Sequence, residues 1–221
     1  MKRREVASPY YPLMLNIQGK KCLVVGGGEV ALRKAQMLLE CGAVVEIVSP
    51  TLCHQLNQLA KSGAIQASNR AYKTEDLNDA LLVVAATDDA KVNEKVAAEA
   101  RKKRILVNVV DIPDISDFIV PSYFRHGDVI VSVSTSGKSP ALARKIRSEL
   151  EVNFKAEYAH LAKIANDARS ELKQRGIKVS GDDWQKVLNL NSLIELIKRG
   201  KNKEAREIML DRLKTLGQRK P

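Results

Sequence analysis

The chain is poor in aromatic residues, which make up 4% of its 221 positions. Proteins that grip single-stranded nucleic acid stack bases on aromatic faces, so a nucleic-acid partner is not expected. Cysteine is scarce too, with only Cys22, Cys41 and Cys53. The odd number and the absence of any C-x-x-C spacing exclude a disulfide framework and a metal knuckle. Apolar neighbours make Cys22 and Cys41 small core residues, and a reducing, cytoplasmic setting is expected. His54, His126 and His160 share no helical pairing, so no metal site is expected. The longest purely aliphatic run, Leu81 to Ala86, is far too short for a membrane span. Lys2, Arg3 and Arg4 resemble the start of a signal peptide, but Ser8, Pro9, Pro12, Asn16 and Gln18 break up the apolar stretch it would need. Neither a leader nor a membrane partner is expected.

What the chain does have is positive charge. Lys and Arg number 37 against 26 Asp and Glu, a formal net charge of +11. Residues 1–120 hold 16 basic and 14 acidic side chains; residues 121–221 hold 21 and 12. A basic second half calls for an acidic partner, whether nucleic acid, a membrane surface or a polyanionic small molecule. With 44% hydrophobic and 29% charged residues, the composition is that of a globular protein.

In the first half, short apolar runs alternate with helical patterns. Strands are expected at 21–25, 44–48, 64–68, 81–86 and 105–108, and helices at 29–41, 51–62 and 88–103. This alternation predicts βαβ units around a parallel sheet. Beyond it the pattern changes. A short strand at 118–120 and another at 129–134 suggest a small hairpin-like unit, with His126-Gly127-Asp128 as its turn. From Ser139 onward helices are expected: one behind Ser139-Pro140 with a Leu142, Ile146, Leu150 stripe, then 155–175, 182–190 and 203–216.

Gly26-Gly27-Gly28-Glu29-Val30-Ala31 comes directly after the first strand and opens the first helix, satisfying G-x-G-x-x-A. The first glycine permits a tight turn, the second lets backbone approach a pyrophosphate, and Ala31 allows close helix–strand packing. The helix N-terminus adds unpaired N–H groups and the positive end of a dipole. These features predict dinucleotide binding by Gly26, Gly27, Gly28, Glu29 and Val30. The acid that normally ends the second strand and bonds the ribose is replaced by Ser49-Pro50-Thr51, which leaves NAD against NADP open.

Ligands of open parallel sheets bind beyond the carboxyl ends of the strands. There the chain places Gly26–Gly28, Ser49–Thr51, Thr87 with Asp88 and Asp89, and Asn108 with Asp111. Asp88 and Asp89 read as helix caps, and Thr87 as facing the cofactor. Asp111, after an apolar strand, is the candidate proton acceptor for a hydride-removing reaction; an Asx-turn before Pro113 is the structural alternative. A second polar loop, Ser134-Thr135-Ser136-Gly137-Lys138, precedes a helix bearing Arg144 and Arg147. It reads as an anion site for substrate, against a merely capped helix with a solvated basic face.

Five motifs in order carry a resemblance: Val24 to Ala31 with Arg33-Lys34-Ala35; Ala85-Ala86-Thr87-Asp88-Asp89; Asn108-Val109-Val110-Asp111; Phe118-Ile119-Val120-Pro121-Ser122; and Val133 to Arg144. Together they resemble the precorrin-2 dehydrogenase / sirohydrochlorin ferrochelatase family, including the N-terminal half of bacterial siroheme synthase. The resemblance implies an α/β fold: a Rossmann domain at 1–117, a small β-containing dimerisation unit at 118–153 and a helical domain at 154–221. It implies a homodimer that oxidises precorrin-2, an anionic tetrapyrrole, to sirohydrochlorin with NAD, and some members also insert Fe²⁺. Asp111 matches the family's catalytic aspartate, and Ser49-Pro50-Thr51 is usual in the family, which favours NAD. No methyltransferase domain is expected within these residues. The alternative class is a nucleotide-sensing Rossmann module without catalysis, which ordinarily carries the second-strand acid missing here.

Overall fold

The computed structural model describes residues 10–217, so the basic Lys2–Arg4 start lies outside the described residues. The chain divides into two units that meet in sequence at Val120 and Pro121.

The first unit is built on five short strands: β1 (Lys21–Val25), β2 (Val44–Val48), β3 (Gln66–Ser68), β4 (Leu82–Ala85) and β5 (Leu106–Val109). All pairings are parallel and the order is β3-β2-β1-β4-β5. Side chains alternate faces along a strand, and here both faces are apolar. Cys22 and Val24 of β1 pack in one core with α1 (Glu29–Glu40) and α2 (His54–Lys61). Leu23 and Val25 pack in the other with α3 (Ala90–Lys102). The apolar strands without polar alternation are therefore those of a sheet covered on both sides. Burial pushes the Cys22 thiol up to about 11, as befits a small core residue, and Cys41 adds to the effect. The chain leaves β1 toward β2 on one side and returns to β4 on the other. That switch opens a crevice at the carboxyl ends of β1 and β4.

The second unit starts with the antiparallel hairpin β6 (Ser122–His126) and β7 (Val129–Val133), turned at Gly127-Asp128. Next comes α4 (Pro140–Val152), capped by the Ser139 hydroxyl, which accepts from Leu142 N. Phe124 stacks edge-on against Phe154, centroids 5.2 Å apart, and Phe154 against Tyr158 of α5 (Glu157–Gln174). The bundle is completed by α6 (Gly181–Val187), α7 (Leu190–Lys198) and α8 (Asn202–Gly217). Leu161, Ile164, Ala168 and Leu172 of α5 form its seam against Met209 and Leu213. No helix among the described residues is long and apolar enough to cross a membrane.

Three expectations are corrected. No strand forms at 118–120; β6 begins at Ser122, just past Pro121, which has no N–H to give a ladder. The helix expected at 51–62 starts only at His54, because residues 51–53 are drawn against the glycine turn. The helix expected at 182–190 ends at Val187, and a helix that was not expected, α7, follows from Leu190. The break falls at Leu188-Asn189, and the Asn189 side chain caps α7 by accepting from Ser192 N.

Candidate active site

The glycine turn is shaped by two close approaches. Gly26 has φ +132, and a Cβ there would lie 2.2 Å from the Ala86 carbonyl oxygen. A Cβ at Gly27 would lie 1.8 Å from the Thr51 carbonyl oxygen and 2.7 Å from Ser49 Oγ. The Gly27 carbonyl also accepts from Cys53 N at 2.7 Å, and Gly26 N donates to Val48 O at 3.0 Å. Ser49 is buried against the turn, whereas Pro50 and Thr51 are exposed beside it. Gly28 differs: it is the N-cap of α1, and a Cβ there would meet nothing within 4 Å. Backbone thus fills the space behind the turn and leaves the space in front open. Glu29 is exposed and Val30 half-buried in the first helical turn, whose N–H groups have no partner within the helix. The residues present therefore fit a pyrophosphate.

At the end of β4, Thr87 is held in a local network. Its hydroxyl donates to Asn93 Oδ1 at 2.8 Å and accepts from Asp89 N at 3.2 Å, while Asn93 Nδ2 donates to the Thr87 carbonyl. Asp89 caps α3, accepting from Lys91 N and Val92 N. Asn93, buried on α3, is invisible to sequence reasoning because a single polar residue in a polar helix carries no signal of burial.

The end of β5 is more telling. Buried Asn108 donates its amide to the Phe118 carbonyl at 2.9 Å, tying down the returning chain. Asp111 stands exposed at φ +61, a left-handed conformation costly for a residue with a Cβ. An Asx-turn does not explain it. Ser116 closes this loop instead, bonding Val109 N at 2.9 Å and the Ile112 carbonyl at 2.9 Å. The Asp111 carboxylate makes no hydrogen bond or ion pair among the described residues, although it acts electrostatically on Lys34 of α1. Burial holds the Lys34 ammonium below its ordinary range, Arg33 adds to this, and Asp111 opposes both.

In the second unit, Ser136 (φ +54) and Gly137 (φ +79) are successive left-handed residues after β7. Ser134 Oγ accepts from Ser136 N, and Thr135 Oγ1 accepts from Ser139 N and donates to the Ser139 carbonyl, each at 3.0 Å. The loop is therefore largely self-satisfied. Its side-chain charge is not: Lys138 and Arg144 are exposed and make no ion pair among the described residues. By contrast Lys145 pairs with Glu149, and Arg147 with Glu151. Among the described residues, no three His, Cys, Asp or Glu side chains are grouped to hold a metal ion.

A doubly wound sheet, with glycine backbone at the β1 carboxyl end and polar residues ending its neighbours, defines a dinucleotide-binding α/β protein. Residues 13–122 match the family model described as "Putative NAD(P)-binding", and residues 131–153 match "Sirohaem biosynthesis protein central". The siroheme synthase of Nitrosococcus oceani is 43% identical over 198 residues, covering 89% of this chain and 42% of that protein. That of Nitrosomonas europaea is 39% identical over 207 residues, covering 92% and 43%. The chain spans about two fifths of the length of the curated relatives it matches. A solved structure, "SirC, precorrin-2 dehydrogenase", superposes with a TM-score of 0.66 at 25% identity, covering 93% of this chain and 100% of that one. The chain belongs to the family of siroheme synthases and precorrin-2 dehydrogenases.

Proposed function

We propose that the protein is an NAD-dependent precorrin-2 dehydrogenase, oxidising precorrin-2 to sirohydrochlorin in siroheme biosynthesis. One observation carries this reading. An exposed carboxylate, Asp111, is held in a left-handed turn by Ser116, on the sheet edge that bears the glycine cradle. The oxidation takes one hydride and one proton from the macrocycle, and NAD⁺ supplies the hydride acceptor. Gly26, Gly27, Gly28, Glu29 and Val30 hold the pyrophosphate, and Ser49, Pro50, Thr51 and Thr87 border the cofactor. With no acid ending β2, Ser49 and Thr51 bond the ribose, and the family's usual pattern favours NAD over NADP. The Asp111 carboxylate accepts the proton. Asn108 fixes the strand end that carries it. Ser134, Thr135, Ser136, Lys138 and Arg144 bind the carboxylate arms of the substrate, with Lys138 and Arg144 supplying the charge.

The working form is a cytoplasmic homodimer in three parts, with residues 118–153 as the dimerisation unit. The support is an apolar stripe on α4: Leu142, Ile146 and Leu150 are 51%, 36% and 46% exposed. The relatives' name, siroheme synthase, favours a second activity, insertion of Fe²⁺ into sirohydrochlorin as substrate. The test monitors precorrin-2 absorbance with NAD⁺, with and without Fe²⁺, for the wild type and Asp111→Asn. The variant is expected to bind NAD⁺ normally and to oxidise ~10²–10⁴-fold more slowly. Undiminished oxidation removes Asp111 from the mechanism, and no oxidation by the wild type overturns the reading.

A further inference from the structure

Two faces of α5 treat charge differently. Glu171 gathers Arg175, Arg206 and Lys214 around one carboxylate. Arg169 and Lys173, one helical turn apart, and Lys178 in the loop after the helix are exposed and have no acidic partner among the described residues. Asp183 at the start of α6 is engaged by Ser180 at 2.6 Å and by Lys186. The three cations rim a groove of about 790 Å³ between α5 and α6, floored by Leu172, Trp184 and Leu188. This volume lies within the ~300–1,000 Å³ span of small-molecule sites, and the open lining mixes apolar and charged groups.

We propose that this groove is a second tetrapyrrole-binding site, separate from the residues assigned to oxidation. Three cations lining the same groove as an indole ring match a flat apolar body with carboxylates along its edge. The ring stacks on Trp184 while its acidic arms meet Arg169, Lys173 and Lys178. An aromatic face favours stacking of a flat ring, and each guanidinium or ammonium adds a charge-assisted bond. The inference rests on the proposed function for its choice of ligand, but no residue of the groove takes part in that chemistry.

The test uses the full chain and uroporphyrin, a stable porphyrin octacarboxylate. Trp184 is the only tryptophan, so its emission reports this unit. Titration is expected to quench it, and equilibrium dialysis to find two porphyrins per chain. The double variant Arg169→Glu/Lys173→Glu is expected to bind the groove porphyrin at least tenfold more weakly, with one porphyrin left per chain and precorrin-2 oxidation unchanged. All these side chains are exposed, and Lys178→Glu serves as an independent second variant. Unaltered quenching and stoichiometry in both variants, with oxidation intact, overturn the groove and spare the dehydrogenase. Porphyrin binding that the variants abolish, in a chain that oxidises no precorrin-2, keeps the groove and sinks the dehydrogenase. A response to an acidic amphipathic peptide but not to porphyrin overturns the proposal in favour of a protein partner.

Discussion

Adding a single methyl group to Gly27 and, separately, to Gly28 divides the stability of the turn from its use. A Cβ at Gly27 would sit 1.8 Å from the Thr51 carbonyl oxygen and 2.9 Å from the carbon behind it. Relief to van der Waals contact moves backbone by more than about 1 Å, since carbon–oxygen contacts lie near ~3.3 Å. That shift takes Cys53 N away from the Gly27 carbonyl, now at 2.7 Å. Overpacking costs ~1–3 kcal/mol and an unmet buried group ~1–3 kcal/mol more. Gly27→Ala should therefore lose about 3 kcal/mol, a fall in Tm of roughly 6–12 °C for a chain of this size. Gly28→Ala meets open space at an ordinary backbone conformation, and costs only ~0.5–1 kcal/mol through the weaker N-cap. Its methyl group nevertheless projects into the space assigned to the pyrophosphate. NAD⁺ affinity should fall at least ~10-fold, about 1.4 kcal/mol. Differential scanning fluorimetry reads the first quantity and calorimetric titration with NAD⁺ the second. A folded Gly28→Ala protein that binds NAD⁺ like the wild type refutes the cradle. A Gly27→Ala protein as stable as the wild type refutes the close approach.

Away from the turn, buried Asp76 accepts two hydrogen bonds from Arg70, at 2.6 and 2.9 Å, and one from Lys73 N. The Arg70 bond, outweighing the opposing effect of burial and aided by the Lys73 N–H, holds this carboxyl below its ordinary range. The stability this contributes is present above the unfolded value near ~3.9 and is lost as pH falls through the lower folded value. Because Arg70 is 40% exposed, Asp76→Asn should cost only about 2 kcal/mol at pH 7. In urea titrations that cost should vanish in acid, and a cost that grows as pH falls would reverse the assignment. In the proposed dimer, Ile146→Asp on the α4 stripe removes one apolar side chain from each of two copies, ~1.5 kcal/mol apiece. Light scattering should show dimer dissociation about a hundredfold easier with the chain still folded; an unchanged dimer places the interface elsewhere.

Where burial dominates the sequence pattern, the fold is legible. β1 and β2 fall on the residues expected, because short, mostly apolar runs set off by Gly19, Gly26 and Gly42 read as buried parallel strands. Caps read equally well at Asp89 and Ser139, whose signals are local. The hidden features depend on partners distant in sequence. The late start of α2 is set by Gly27, some 25 residues earlier, and the pinning of Phe118 by Asn108 is likewise a tertiary fact. α7 is not separable by pattern because the apolar residues run through Leu188 and Leu190, and only the Asn189 cap marks the break. The Asp111 position is visible from its place after β5, but its left-handed turn and the role of Ser116 are not.

The order of strands in the sheet also sets a clock during synthesis. β1 takes β2 on one side and β4 on the other. Its second edge stays open after Val25 is made until Leu82 arrives, 57 residues later. At ~5–20 residues per second the ribosome needs about 3–11 s to close that gap. Through this interval Cys22–Val25 offers bare N–H and C=O groups between two apolar faces, a template for any stray strand. Conditions that slow translation between residues 25 and 82 lengthen that exposure, and the yield of native protein should fall with it.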